Sequence, residues 1–421
     1  YLPNYLKGKN RRLVFDLLRE RGQMSRAEIT RDTGMSFPTA MKVVDAFMEK
    51  GLLVELDETG PAAGAGRKGR LLRFEPGAYR AVGVECEGRF ARVGLADMAG
   101  GVQARETIEL GDFARTRDLS PLAAAIRRMC AAANGAPVLG VCIGFPANLD
   151  PDAAAIVSYA AMDIQQPTSF AQVFPAFWRE VELPVYLEND ANLACEGEAF
   201  LRRGAGGAAN MLYLSIGSGC GGAVRLDGKL RRGAGCRAML LQPALGAPGR
   251  SAARETLEDA VCLAALERRF GAALRDGAQP GEASAQAMRD YLCGPLSGAV
   301  YSLVMTLDVE LCVLAGIVPG ALGMQLCTQV SEALRAALPP AAGQSSAHRP
   351  ANGSRRPAAK RPWTVRGEIP AICRGSRARS AGSGRSAPCG SPPAAQAPRH
   401  TDAARACAPR RCSSRARPER I

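Results

Sequence analysis

Histidine is almost missing from this chain: two occur in 421 residues, His348 and His400, both beyond residue 340. Residues 1–340 therefore cannot supply a histidine general base, an HExxH site or a Cys/His zinc site, which excludes many hydrolase and metalloenzyme chemistries there. No C-x-x-C pair occurs either. Ten of the 14 cysteines are scattered singly between Cys86 and Cys327, and they read as reduced, small core residues of a cytosolic protein. No signal-peptide pattern is present, and no stretch approaches the roughly 18 uninterrupted apolar residues needed to span a bilayer. The expectation is a cytoplasmic protein without a membrane partner. Aromatics are few, at 5%, but 47% of residues are hydrophobic, too many for a wholly disordered chain.

Charge is unevenly placed. Residues 341–421 hold 17 Lys/Arg against 3 Asp/Glu, and residues 1–340 hold 37 of each. Within those 340, residues 1–74 carry 14 bases and nine acids, so a basic first segment precedes an acidic body. Such a division suggests a module for an anionic partner joined to one for something else.

The body alternates short apolar runs with helical periodicity. Residues 81–84, 91–96, 138–143, 184–187, 211–216, 222–226 and 310–315 read as strands, and 121–133, 191–201, 254–274, 283–306 and 322–338 as helices. Paired strands followed by alternating helices and strands predict an α/β domain with a mixed sheet over residues 79–338. Residues 341–421 contain no Leu, Phe, Tyr or Met. They cannot bury enough apolar area to offset an ordering cost of roughly 1–2 kcal/mol per residue, so 339–421 is expected to be a disordered, low-complexity basic tail. Its Arg/Pro/Ala/Ser/Cys usage resembles a GC-rich gene translated out of frame, with a basic tail for nonspecific DNA binding as the alternative.

Residues 1–74 have a different grammar. Leu13, Val14, Leu17 and Leu18 share one face of a helix closed by Gly22. Ser25 with Glu28 makes a capping box for a second helix ending near Gly34, and Ser36 caps a third that runs from Phe37 to Lys50 and stops at Gly51. Two short helices around a Gly-containing turn are the helix-turn-helix pattern. Two strands, at 52–56 and 71–74, then flank a glycine-rich basic loop that predicts a wing. Ser36, Phe37, Thr39 and Ala40 are placed to meet base edges, with Lys42 near a phosphate, while Arg67, Lys68 and Arg70 suit a narrow minor groove. The predicted partner is a duplex DNA operator, read by a homodimer with two recognition helices.

The run 10–74, with Ser25-Arg26-Ala27-Glu28-Ile29 and Gly66-Arg67-Lys68 before Leu71, resembles the DNA-binding module of ROK-family repressors (repressors, open reading frames, kinases) of the xylose and N-acetylglucosamine repressor type. The body agrees in three places. Gly140-Val141-Cys142-Ile143-Gly144-Phe145-Pro146 resembles the family's G-x-G-x-P-G, Glu188-Asn189-Asp190-Ala191-Asn192 its E-N-D-A-N, and Gly217 to Gly222 its second phosphate loop. The resemblance implies a two-lobed, actin-like sugar-kinase fold, with Asp190 at the catalytic-base position and Asn189, Asp190 and Glu258 as sugar contacts. Gly217, Ser218, Gly219 and Gly221 would be the phosphate loop, although a glycine turn between strands is more often a plain hairpin.

Departures from the family argue against catalysis. Where family kinases carry D-x-G-x-T, this chain has Glu85-Cys86-Glu87-Gly88-Arg89, which lacks the hydroxyl and adds an anion-repelling carboxylate. The sugar-contacting G-E-I-G-H aligns with Met239-Leu240-Leu241-Gln242-Pro243, and the zinc motif falls where residues 246–256 contain no cysteine. The expectation is a repressor controlled by a small carbohydrate, with no metal, no cofactor and no ATP, in which Asp190 and the phosphate loop are vestiges. The alternatives are a working ATP-dependent sugar kinase and a decayed regulator without ligand response. Loss of the family's closing helix would also leave an apolar groove between 303–307 and 322–338.

Overall fold

The computed structural model describes residues 2–59, 70–202, 208–233, 256–271, 274, 280–337 and 364–367. By its contacts the chain separates into the unit Asn10–Arg374 and a second unit of Tyr1–Lys9 with Gly375–Ile421; every core discussed below lies in the former.

The first core is built from α1 (Leu2–Arg21), β1 (Gln23–Ser25), α2 (Arg26–Thr33), α3 (Phe37–Glu49), β2 (Leu53–Thr59) and β3 (Arg70–Phe74). Gly22, at φ +75°, ends α1 and lets β1 begin at once. The capping box then starts α2: Ser25 Oγ accepts from Glu28 N–H at 3.3 Å and Glu28 Oε2 accepts from Ser25 N–H at 2.8 Å. Gly34 closes α2 in the left-handed region at φ +67°. The three strands form one antiparallel sheet in the order β1-β3-β2. Val14 and Leu18 of α1, Ile29 of α2, Val44 of α3 and Leu72 of β3 are fully buried between helices and sheet.

A short turn at Pro76–Ala78 leads to the first lobe, composed of β4 (Arg80–Glu87), β5 (Phe90–Asp97), β6 (Val102–Glu109), α4 (Phe113–Thr116), α5 (Ser120–Ala131), β7 (Val138–Phe145), β8 (Asn148–Asp150), β9 (Ala155–Ser158), β10 (Thr168–Ser169), α6 (Phe170–Val173), α7 (Pro175–Glu180), β11 (Val185–Asn189) and α8 (Asp190–Leu201). Its main sheet runs β6-β5-β4-β7-β11, antiparallel on the β6 side and parallel from β4 to β11. The few aromatics are concentrated here. Phe145 meets Phe170 edge-on at 5.5 Å, with Phe113 and Phe174 against it, a geometry that adds about 0.5–1.5 kcal/mol per pair beyond area burial.

The second lobe holds β12 (Met211–Ile216), β13 (Cys220–Leu226), β14 (Lys229–Leu230), α9 (Leu257–Val261), α10 (Leu263–Phe270), α11 (Glu282–Leu307), β15 (Leu311–Ala315), α12 (Ile317–Leu322), α13 (Met324–Ala337) and β16 (Thr364–Gly367). Its sheet order, β14-β13-β12-β15-β16, repeats that of the first lobe, with the third, second, first, fourth and fifth strand side by side. The two lobes are thus two copies of one mixed-sheet plan, and α8 packs on β7 of the first and on β12 and β13 of the second. Among the described residues no helix is long and apolar enough to cross a membrane.

Four expectations need correction. Residues 254–274 are not one helix: Cys262 is extended, and Leu263 N–H donates to Gly217 O at 2.9 Å instead of continuing α9. Gly323, at φ +74°, likewise divides 322–338 by separating α12 from α13. The apolar groove is filled only in part: Leu326, Val330 and Leu334 of α13 are fully buried in the same core as Leu292, Leu296 and Val300 of α11, Leu303 and Leu307 are half-buried, and Met305 and Met324 stay exposed. The tail is not wholly without order: Thr364–Gly367 pairs in parallel with β15 as the fifth strand.

Candidate functional site

Two groups of residues carry chemistry. The first is the amino end of α3. Phe37 is 56% exposed there, beside the exposed Ser36 and Lys42 and the half-buried Thr39. Ser36 stands at the N-cap but its hydroxyl lies 2.8 Å from that of Thr39 and caps no backbone N–H, so both hydroxyls remain at the surface. Ala40 is fully buried and packs inside; its expected base contact is ruled out by the helix phase, which turns position 40 toward Val43 and Val44. Arg70 begins β3 with its guanidinium 3.8 Å from Glu55, while Arg67 and Lys68 lie outside the described residues.

The second group gathers where the lobes meet. Asn189 ends β11 and caps α8, accepting from Asn192 N–H at 3.2 Å. Its side-chain amide donates to Ala147 O at 3.3 Å and to Asp190 Oδ1 at 2.9 Å. Asp190 Oδ1 also accepts from Ala191 N–H at 2.8 Å. Burial pushes this carboxyl up to about 6, opposed by the Ala191 hydrogen bond and reinforced by the charges of Glu85 and Glu87. Arg92 donates to Glu85 at 3.1 Å and to Glu87 at 2.8 Å, yet burial still raises Glu85.

The glycine turn between β12 and β13 faces carboxylates. A Cβ on Gly217 would stand 2.9 Å from Glu87 Oε1, and one on Gly219 would stand 2.9 Å from Glu258 Oε2. The same Glu258 oxygen accepts from Cys220 N–H at 2.8 Å. One oxygen of Glu258 is therefore engaged with the loop. Gly217 N–H is likewise used, donating to Gly219 O at 2.9 Å. Gly221 lies against Ala191, bringing the turn beside the start of α8. Two acidic side chains thus flank a loop whose N–H groups, in a kinase, would need to meet phosphate oxygens.

Sequence reasoning missed the tie that holds this corner together. Glu188, buried, accepts from Asn189 N–H and Asn192 Nδ2 at 3.0 Å through one oxygen, and from Arg232 at 2.8 and 2.5 Å through the other. Arg232 is held firmly protonated by that hydrogen bond. A partner 44 residues away leaves no local signal. Leu240, Pro243 and residues 246–255, on which the missing sugar and zinc motifs rest, lie outside the described residues. Among the described residues no three His, Cys, Asp or Glu side chains are grouped to hold a metal ion.

Residues 81–352 match the ROK family. The chain belongs to that family. Over 233 residues it is 26% identical to a xylose repressor of Caldicellulosiruptor bescii, covering 54% of this chain and 56% of the repressor. Over 141 residues it is 32% identical to a glucokinase of Halalkalibacterium halodurans, covering 31% of this chain and 40% of the kinase. The chain spans little more than half the length of the curated repressors it matches. Among solved structures, a ROK family transcriptional regulator described as a homologue of the E. coli MLC protein superposes with a TM-score of 0.62 at 18% identity, covering 79% of this chain and 88% of that one. The ROK fold is shared by the regulator and the kinase, so which chemistry this chain performs rests on its own site.

Proposed function

We propose that this ROK protein is a DNA-binding transcriptional repressor, with residues 1–74 as a winged helix-turn-helix and residues 79–338 as an actin-like effector domain that senses a small sugar without phosphorylating it. The observation that carries the reading is the amino end of α3, where Phe37, Ser36, Thr39 and Lys42 are presented on the surface of a helix pair whose own core is closed. Homology to xylose repressors supports it. The protein acts in the cytoplasm as a homodimer, so that two copies of α3 meet two half-sites.

Selection of genomic DNA fragments by the full chain tests this reading. A recurring palindromic sequence is expected among the bound fragments, with binding that weakens steeply as salt rises. Thr39→Ala should change the sequences recovered, whereas Arg67→Ala with Arg70→Ala should weaken all of them together. Absence of any enrichment at low salt would overturn the proposal.

One observation favours the rival sugar kinase: Asp190 has the raised carboxyl expected of a general base working near neutral pH. The carboxylate of Glu87 beside Gly217 of the phosphate loop opposes it. No turnover of D-glucose or D-xylose is expected with ATP and magnesium. Turnover that vanishes in Asp190→Asn would establish the kinase instead.

A further inference from the structure

Helix α8 begins at the carboxylate cluster and ends against the N-terminal module. Its first residue is Asp190, and Gly144 of β7 lies beneath that end, against Asp190 Cα and Leu193. Its last full turn carries Phe200, and over that ring sits the guanidinium of Arg19 from α1, 3.7 Å from the ring centroid. Twelve residues at 1.5 Å each make the helix about 18 Å long, enough to join the two places directly.

The Phe200 end is built to register small displacements. Gly100, at φ +89° in the β5–β6 hairpin, leaves a space that a Cβ would close, since that atom would fall 2.6 Å from the Phe200 ring. The same hairpin holds the module through Met98, whose side chain packs on the module core and whose N–H donates to Pro76 O at 3.0 Å in the connecting turn. Phe200 is thus gripped by α1 on one side and by the hairpin that carries the module on the other. Along its length α8 lies between the two lobes, on β7, β12 and β13. Any relative movement of the lobes must move or roll it, because packed interiors shift as units rather than deform.

We propose that α8 is the lever that couples the lobe junction to the N-terminal module, with Phe200 and Arg19 as the positioning residues through which a change at Asp190 alters the orientation of α3. The stacked cation fixes the angle of α1 relative to α8, and neutralising or engaging Asp190 shifts the helix at its other end. The proposal rests on the repressor reading for its biological meaning, but the mechanical coupling exists with or without DNA.

The test is a distance measurement on the full chain. Spin labels are attached at Asp45 of α3 and Arg115 of α4 through ketone-bearing unnatural residues, which leaves the native cysteines in place. One narrow distance population is expected in the parent protein. Phe200→Ala should at least double its width, and Arg19→Ala should do the same if Phe200→Ala fails to fold. Arg19→Lys and Phe200→Tyr, which keep a cation over a ring, should restore the narrow population. Asp190→Asn should shift the mean distance when Phe200 is present and leave it unshifted in the double variant. Affinity for a DNA fragment recovered by the full chain should fall about tenfold in Phe200→Ala. Unchanged distances in Phe200→Ala and in Arg19→Ala, or a shift by Asp190→Asn that survives loss of the ring, would overturn the lever. Loss of DNA binding in the parent protein with the distance results intact would overturn the repressor reading alone.

Discussion

The N-terminal module and the lobe junction spend their polar groups in opposite ways. At the amino end of α3, two hydroxyls, a lysine and an aromatic ring face solvent, and the Ser36 hydroxyl pairs with that of Thr39. At the junction, Asn189, Glu188, Glu258 and Arg92 are committed to neighbouring protein groups, leaving carboxylates packed around a turn. A surface that keeps its donors exposed is prepared for a large external ligand. On the proposed reading, a corner that has closed its donors onto itself, and kept its acids, is poorly prepared for a nucleotide.

The largest expected effect separates the two regions by stability. Leu72→Ala removes a fully buried side chain from the sheet of the module and should cost about 3 kcal/mol. Calorimetry should show the module melting earlier while the lobes keep their transition, and DNA binding should be lost at physiological temperature. A single, uniformly lowered transition would break the comparison, since it would make module and lobes one cooperative unit.

Next comes Asp190. Its folded carboxyl is raised to about 6 from an ordinary value of 3.8, so the folded state binds the proton more tightly than the unfolded chain. That favourable difference is fully present below about pH 4 and is lost as pH rises through about 6; at neutral pH it amounts to a penalty of about 3 kcal/mol. Asp190→Asn, which can still accept from Asn189 and Ala191, should therefore raise the melting temperature at pH 7.5 by about 5 °C and leave it unchanged near pH 4. A variant destabilised at both values would show that the carboxylate is better satisfied than its neighbours imply.

Truncation after Ala337 should also lower the melting temperature of the second lobe by about 5 °C, because it strips β16 from β15, a strand buried along its whole length. The smallest effect belongs to the capping box. Ser25→Ala should cost about 1 kcal/mol at pH 7. The hydrogen bonds from Ser25 hold Glu28 below its ordinary value, so its contribution is present above about pH 4.5 and fades as pH falls through the folded value. Thermal melts at pH 7 and pH 3 should show the penalty shrinking in acid.

What could be read in the sequence divides along the same line. The capping box, the glycine stops at Gly22 and Gly34 and the apolar phases of α1 and α3 are local signals, and the module follows them closely. Helix phase was decisive where residue type misled: Ala40 has a suitable methyl but points inward. In the body, apolar strands such as β7, β12 and β15 were legible as continuous runs. β6 was not, because its Gln, Arg and Glu alternate on an edge, and β16 is the short run Thr-Val-Arg-Gly, with one apolar side chain, and needs β15 to define it. The role of Glu258 depends on Cys220, 38 residues earlier, and the pairing of Arg232 with Glu188 spans 44. No periodicity encodes such contacts; they arise only once two strands and a helix start have been brought to one corner.

The central claim is that this chain recognises a DNA sequence through α3, and a competition binding measurement tests it most directly. The full chain is titrated against a fragment selected from genomic DNA and against a scrambled fragment of equal length and composition, at physiological salt. The account predicts at least 10³-fold tighter binding to the selected fragment, falling to within about tenfold of the scrambled one in a Thr39→Ala, Lys42→Ala variant. Equal affinity for both fragments in the parent protein would contradict it.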